Sequence, residues 1–501
     1  MVKPMLVLQG HYMNWRVKSL DDILATAERR SLTRSLGGFQ LMMLGVGAII
    51  GTGIFVLTAE AAQKAGPGMM ASFVLAGFVC AVTALCYAEL ASMVPVSGSA
   101  YTYSYAVLGE LVAWIVGWAL VLEYAVAACA VSVGWSNYFV GVLHRLLHID
   151  LPVALTKGPY AGGVINLPAM AIALFCMWLL IIGTRESARV NAVLVSIKIT
   201  ALAVFIVLAI PMIRAENFEP FTPLGNLGVV SAASSIFFAY VGFDAVSTAA
   251  EETRNPQRNV PIGLIGSLVI CTAFYLLVAS GAIGTIGAQP VFGPNHTIVS
   301  PGSPEFHAAC RDTGGQLLAC SDEPLAFVLQ QIGYNKIAGL IGLAAFLALP
   351  SVILMMLFGQ TRLFFAMARD GLLPRFLNKL HPKYHTPHVV TLITGLTVTV
   401  FAGFFPVGLL ADVSNSGTLT AFFMVSLGVM ILRVRDAGRR RGFRVQAIWL
   451  VGPLAAIGCL LLFINLPLKT NFIFLGWTAI GLVVYRLYGY SHSDMNGKPG
   501  A

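Results

Sequence analysis

The chain has 501 residues, of which 57% are hydrophobic and only 11% charged, and its formal net charge is +9. A soluble chain of this length carries about 25% charged residues, so this composition, with a mean hydropathy of +0.81, excludes an ordinary soluble protein. An all-α polytopic membrane protein is expected, with about twelve transmembrane helices.

Apolar runs place spans near 37–60, 69–93, 107–140, 164–183, 188–213, 229–250, 260–287, 335–366, 388–404, 409–432, 446–466 and 471–489. An even number of spans puts both termini on one side. About 23 Lys and Arg residues fall between spans on that side and about 7 on the other, which makes the terminal side cytoplasmic. Arg16, Lys18, Arg29, Arg30 and Arg34 precede the first span, Arg369, Arg375, Lys379 and Lys383 follow the eighth, and residues 433–444 form a basic loop after the tenth. The positive charge is therefore an orientation signal, and the expected surroundings are a lipid bilayer and no nucleic acid. The first 36 residues lack the apolar core of a cleavable signal peptide. Residues 19–30 read equally as a surface helix or a solvated arm.

Span one contains Gly45-Val46-Gly47-Ala48-Ile49-Ile50-Gly51-Thr52-Gly53-Ile54-Phe55. Each glycine weakens a helix by about 1 kcal/mol relative to alanine. Broken backbone at membrane depth is tolerated only where protein or a wet cavity surrounds it. An unwound helix there exposes N–H groups on one half and C=O groups on the other, and together they can hold a small zwitterion. Glu89 lies near the terminal-side end of span two. The stretch Pro95-Val96-Ser97-Gly98-Ser99-Ala100-Tyr101-Thr102-Tyr103 after it reads as a turn entering a helix, either a structural interfacial loop or a gate element.

Glu123 in span three is deep enough that its carboxylate must be paired, protonated or facing water. Lys198 lies about ten residues into span five, too far to reach either surface easily. It is either a group that exchanges a proton, since burial lowers a lysine's proton affinity, or a structural charge paired with a backbone carbonyl, Glu123 or Asp244. Span six places Gly242 beside the intramembrane Asp244 and reads as a second interrupted helix. Interrupted segments at matching positions of two inverted halves are the best sequence pointer to a transporter's central site. The loop Glu251-Glu252-Thr253-Arg254-Asn255-Pro256-Gln257-Arg258 either locks helices by ion pairs or is simply solvated.

Tyr275 in span seven either reaches the cavity or packs between helices. Cys310 and Cys320, in a loop on the side opposite the termini, are expected to form a disulfide. His296 and His307 nearby show no metal-ligand spacing, and the other six cysteines read as small core residues. Asn295-His296-Thr297 matches a glycosylation sequon. Pro350-Ser351 predicts a kink in span eight whose freed backbone groups need partners. Ser414-Asn415-Ser416-Gly417-Thr418 in span ten either lines a pathway or packs helices. A membrane enzyme would need a nucleophile–base pair or a metal cluster in the spans. The spans carry no such histidine or cysteine–histidine grouping, so neither catalysis, a cofactor nor a metal is expected.

The first-span motif at 45–55 resembles that of the amino acid–polyamine–organocation superfamily. Phe238-Ala239-Tyr240-Val241-Gly242-Phe243-Asp244-Ala245-Val246-Ser247 narrows the resemblance to the cationic amino acid transporter branch and its bacterial relatives. Glu251-Glu252 with Asn255-Pro256, and Phe365-Ala366-Met367-Ala368-Arg369-Asp370-Gly371-Leu372-Leu373-Pro374, point the same way. The likeness covers residues 32–488, although the loop at 289–323 is longer than in the simplest bacterial members.

The resemblance implies a five-plus-five inverted repeat of the sodium–leucine symporter type, residues 37–213 and 229–432. Helices one and six would be broken. Two extra helices at 446–489, a cytoplasmic arm at 1–36 and a tail at 490–501 complete the chain. It implies that a substrate carboxylate meets N–H groups at Thr52 and Gly53, beside Gly51 at the break. The amino group would meet carbonyls of Ile49, Phe238, Ala239 and Val241. Glu123, Asp244 and Ile353 correspond to side-chain pocket positions, and Lys198 corresponds to the fifth-helix lysine that replaces sodium in proton-coupled members. The implied activity is alternating-access symport of L-amino acids with protons across the plasma, or bacterial inner, membrane. Exchange, or carriage of arginine, lysine, ornithine or polyamines, is the alternative. A small membrane subunit is not read from the sequence.

Overall fold

The computed structural model describes residues 16–18, 20, 36–94, 99–183, 188–294, 297–384 and 386–495. Most of residues 19–30, with Arg29, Arg30 and Arg34, lie outside the described residues, as do Pro95 to Gly98, Asn295 and His296, and the Glu251 side chain. Among the described residues, seven helices are long and apolar enough to cross a membrane, and five shorter apolar helices accompany them. Among the described residues, extended pairing is limited to isolated bridges at Leu36–Thr253 and Phe292–Ile298.

The first span is divided into α1 (Gly38–Ile49), α2 (Thr52–Phe55) and α3 (Leu57–Ala65), and α4 (Met69–Met93) returns beside it. The short α5 (Ser99–Val107) leads into α6 (Glu110–Val142), followed by α7 (Leu167–Ile182) and α8 (Ala188–Ala209). The sixth span comprises α9 (Gly225–Ile236), a 3-10 turn Phe237–Tyr240 and α10 (Ala245–Thr248), before α11 (Pro256–Ile286). Two loop helices, α12 (Pro304–Asp312) and α13 (Pro324–Gln331), precede α14 (Asn335–Arg369). The chain closes with α15 (His388–Phe404), α16 (Val407–Arg435), α17 (Ile448–Ile464) and α18 (Leu468–Val484).

Helices that are apolar on every side bury one face in protein and leave the rest for lipid. α6 lies at the centre, packed along α14 and α16, while α11 packs against α1 and α4. α18 is peripheral and turns Leu468, Phe472 and Leu475 outward.

Most boundaries shift by a few residues from the sequence expectation, and two of the shifts have a clear physical cause. Span three starts at Glu110 instead of 107, because Gly109, at φ +91°, separates it from α5. Span one extends to Ala65 instead of 60, because Glu60 and Lys64 are paired inside the protein and do not mark the interface.

Pro350 lies inside α14, and the carbonyl it leaves free has the expected partner. Proline removes the N–H that would bond the carbonyl four residues earlier, and the Trp135 indole N–H donates to that Phe346 oxygen at 2.8 Å.

Described residues near the start and the end of the chain meet on one face. Arg16 lies 3.4 Å from Glu110, which also accepts hydrogen bonds from Tyr105, Tyr485 and Ser493. Lys18 and Tyr101 both bond Asp370. On the same side Glu89 takes a two-pronged bond from Arg433, at 2.6 Å on each arm, with Arg441 at 3.0 Å.

The opposite face carries the long loop. Cys310 and Cys320 are joined by a disulfide with a Cα separation of 5.6 Å, and the other six cysteines are buried thiols. Gln63 at the end of span one donates to the carbonyls of Val291 and Val299 and accepts from the Val291 N–H. Glu323 is ion-paired with Arg145. Burial, only partly opposed by that guanidinium, pushes the Glu323 carboxyl up to about 7.

Candidate functional site at the two helix breaks

Both glycine-rich segments are interrupted, and the interruptions face each other. α1 ends at Ile49, Ile50 is extended, and helix resumes at Thr52. In span six, Val241 is extended and Gly242 adopts φ +110°, a conformation that favours glycine. The two segments are in backbone contact. A Cβ added to Gly53 would lie 2.2 Å from the Ala239 Cα, and one added to Gly242 would lie 3.1 Å from the Ala48 carbonyl carbon. Glycine is needed at these two positions because backbone meets backbone.

Breaking a helix frees carbonyls that must find donors, and here several find a side chain from another span, while the Phe238 carbonyl accepts from the Val241 N–H. The Tyr275 hydroxyl sits between the carbonyls of Ile49 (2.9 Å) and Ala239 (2.8 Å), one from each broken segment. Lys198 Nζ donates to the Gly47 carbonyl at 2.8 Å. Tyr138 donates to the Phe55 carbonyl at 2.7 Å. Asn415 donates at 2.9 Å to both Ser234 and Ser235, at the end of α9. On the donor side, the first N–H groups of a helix beginning at Thr52 have no carbonyl within that helix. The buried Thr52 hydroxyl has no hydrogen-bond partner.

The remaining expected site residues are all buried, namely Gly51, Phe238, Val241, Asp244, Glu123 and Ile353. Tyr124 donates to the Asp244 carboxylate at 3.1 Å. Beside Gly51 the nearest side chain is Val352, with Cγ2 3.4 Å from where a Cβ would stand. It is the neighbour of the Ile353 inferred from sequence. Among the contacts expected of Lys198, the one to a backbone carbonyl is present.

A polar cluster that sequence reasoning missed lies toward the disulfide-bearing face. Lys64 Nζ is 2.7 Å from Glu60, 3.3 Å from Asp412 and 2.5 Å from the Ser235 hydroxyl. Ser235 in turn donates to Asp412 at 2.5 Å. The cluster ties α3, α9 and α16 together next to the breaks. Its sequence trace is the i, i+4 spacing of Glu60 and Lys64 at the end of an apolar run.

Twelve apolar helices among the described residues, with two interrupted segments in backbone contact among them and a carbonyl of each bonded to one hydroxyl, fit an integral multi-pass membrane protein. Comparison with known proteins gives the family. Residues 36–487 match the family model described as "Amino acid permease", and the chain belongs to that family. It is 45% identical over 487 residues to the branched-chain amino acid permease BcaP of Bacillus subtilis, covering 96% of this chain and 99% of that protein. It is 41% identical over 485 residues to the methylthioribose transporter of the same organism, with the same coverage. The cationic amino acid transporter 9, chloroplastic, of Arabidopsis thaliana is 36% identical over 434 residues, 85% of this chain and 71% of that one. The substrate of this permease is therefore an amino acid.

Proposed function

We propose that this permease carries small neutral L-amino acids by alternating access, coupled to protons through Lys198. The observation that carries the reading is the Tyr275 hydroxyl held between the Ile49 and Ala239 carbonyls. Two acceptors from two broken helices converge on one donor, and a substrate ammonium competes for the same oxygens. Its carboxylate goes to the N–H groups at Thr52 and Gly53 and to the Thr52 hydroxyl, at a helix start where an anion is favoured. Ala239, Val241, Phe238, Val352 and Ile353 surround the site with apolar groups, which favours a neutral side chain. The relative named for branched-chain amino acids supports the same choice.

Lys198 touches α1 just before the break, so a change in its charge alters the Gly47 contact and with it the shape of the site. Alternating access then exposes the breaks to one face at a time. The Lys64 cluster closes the outer face, and the helices at the terminal, cytoplasmic face close the other. Residues 37–213 and 229–432 act as inverted halves, in a plasma or bacterial inner membrane.

A second reading has a specific motive. Glu123 and Asp244 are carboxyl groups beside the site and suit the side chain of arginine, lysine or ornithine. Uptake in proteoliposomes under a pH gradient tests the first reading. Lys198→Ala should abolish gradient-driven accumulation, and full accumulation in that variant would remove Lys198 from the coupling role.

A further inference from the structure

The connection after span ten carries six arginines and one carboxylate between Leu432 and Gln446, and only some of the arginines are engaged within the protein. Arg433 and Arg441 grip the buried Glu89 of α4. Arg435 donates to the carbonyls of Ala106 and Val107, and Arg439 lies 3.6 Å from Asp436. Arg440 and Arg444 are exposed. The same connection reaches α11, since a Cβ added to Gly442 would lie 2.4 Å from the Gln257 Cβ. Arg258, the next residue, is exposed as well. Two connections thus present cations on one surface at the terminal side. The carboxylates they carry or touch, Glu89, Asp436 and Glu252, already have arginine partners.

Below that surface, α4 and α11 leave a groove of about 540 Å³, lined by Phe78, Ala81 and Leu85 from one helix and Ile265, Val269 and Thr272 from the other. Phe78 is 49% exposed and Val269 62%. The groove faces outward, because the other side of α11 packs on α1 through Gly263 against Leu41 and Ser267 against Gly45. From Val74 to Leu85 it runs about 16 Å along α4, close to half of a hydrocarbon core about 30 Å thick. Arg258, Ile262, Ile265 and Val269 recur every three or four residues and so share one face of α11. The arginine therefore stands at the terminal-side end of the groove. Trp449, 64% exposed at the start of α17, marks the headgroup level nearby.

We propose that this is a binding site for one anionic phospholipid. Its phosphate and anionic headgroup meet Arg258 and Arg444, with Arg440 adding to the positive field, and one acyl chain lies in the α4–α11 groove. Guanidinium forks match phosphate oxygens, and cations near the membrane surface favour anionic lipids. A zwitterionic phospholipid offers the same chains but brings a cation to the arginines. The site is separate from the helix breaks and does not depend on which amino acid is carried.

Native mass spectrometry of the purified full-length protein tests this, with dioleoyl phosphatidylglycerol and dioleoyl phosphatidylcholine titrated separately from an uncharged detergent. The wild type should retain one phosphatidylglycerol in preference to phosphatidylcholine. Each cation contributes about fivefold, so Arg258→Gln should weaken phosphatidylglycerol about fivefold and Arg258→Gln with Arg444→Gln about 25-fold. Arg375→Gln, which removes an exposed arginine after span eight, should change nothing. Ala81→Phe fills the groove and should weaken both lipids. Equal retention of the two lipids by the wild type, unchanged binding in the double variant, or an equal loss in Arg375→Gln would overturn the site. Undiminished binding in Ala81→Phe, or glycerol phosphate held as tightly as the lipid, would overturn the role of the groove and the lipid assignment with it.

Discussion

The backbone contact at Gly53 gives the sharpest prediction. In Gly53→Ala the new methyl would lie 2.2 Å from the Ala239 Cα and 2.5 Å from its Cβ. Carbon atoms normally rest at about 3.5–4.0 Å, so the two broken segments must part by roughly 1.3 Å or more. Tyr275 bridges those segments with bonds of 2.9 and 2.8 Å, and after such a shift it can keep only one. Overpacking of this kind costs about 1–3 kcal/mol, and a lost hydrogen bond about 1 kcal/mol more. The closed, ligand-holding arrangement should therefore weaken by about 2–4 kcal/mol, roughly 30- to 1,000-fold in affinity. Titration calorimetry of the purified variants against the best amino acid ligand measures this. Gly51→Ala is the control, because its methyl would meet Val352 at an ordinary 3.4 Å and affinity should change only a few-fold. Wild-type affinity in Gly53→Ala, or equal losses in both variants, would refute the reasoning.

Lys64→Met leaves Glu60 and Asp412 buried without their cation, and breaking a buried pair in this way costs about 3–5 kcal/mol. The unfolding temperature should drop clearly and should recover in part when Asp412→Leu is added; an unchanged temperature in the single variant would remove the cluster from any load-carrying role. Glu323 supplies a pH dependence whose sign follows from its raised value. A carboxyl held at about 7 in the folded protein, against an ordinary 4.5, contributes stability below pH 4.5 that is lost as pH rises through about 7. Thermal unfolding followed across that window should show the wild type losing stability relative to Glu323→Gln. Parallel profiles would contradict the argument.

Span number was legible because crossing a bilayer demands a length of apolar chain that few other structures need. Both breaks were legible as well. Glycine density at 45–53 and the Gly242–Asp244 pair conflict with helix formation inside apolar runs, and only a functional requirement tolerates that conflict. The partners of the freed carbonyls were not legible. Tyr275, Tyr138 and Asn415 reach the breaks from spans seven, three and ten, and nothing local in their sequence distinguishes a hydroxyl or amide that caps a carbonyl from one that packs. Glu60 and Lys64 misled for a related reason. Charges at the end of an apolar run ordinarily mark the interface, but Asp412, nearly 350 positions on, brings them inside. Val352 and Ile353 differ by one residue, about 100° around a helix, and only tertiary packing decides which of them faces Gly51.

The central claim is that an amino acid is held by both of its ends at the two breaks. Thermal unfolding of the purified protein with each of the twenty L-amino acids, and with common polyamines, tests it most directly. The best ligand should be run beside its methyl ester and its N-acetyl derivative. A ligand at a hundred times its Kd stabilises by about 2.7 kcal/mol, a shift that such a scan resolves. The account predicts stabilisation by small neutral L-amino acids and none by either blocked derivative. Equal stabilisation by the ester or the N-acetyl compound, or stabilisation by polyamines alone, would contradict it.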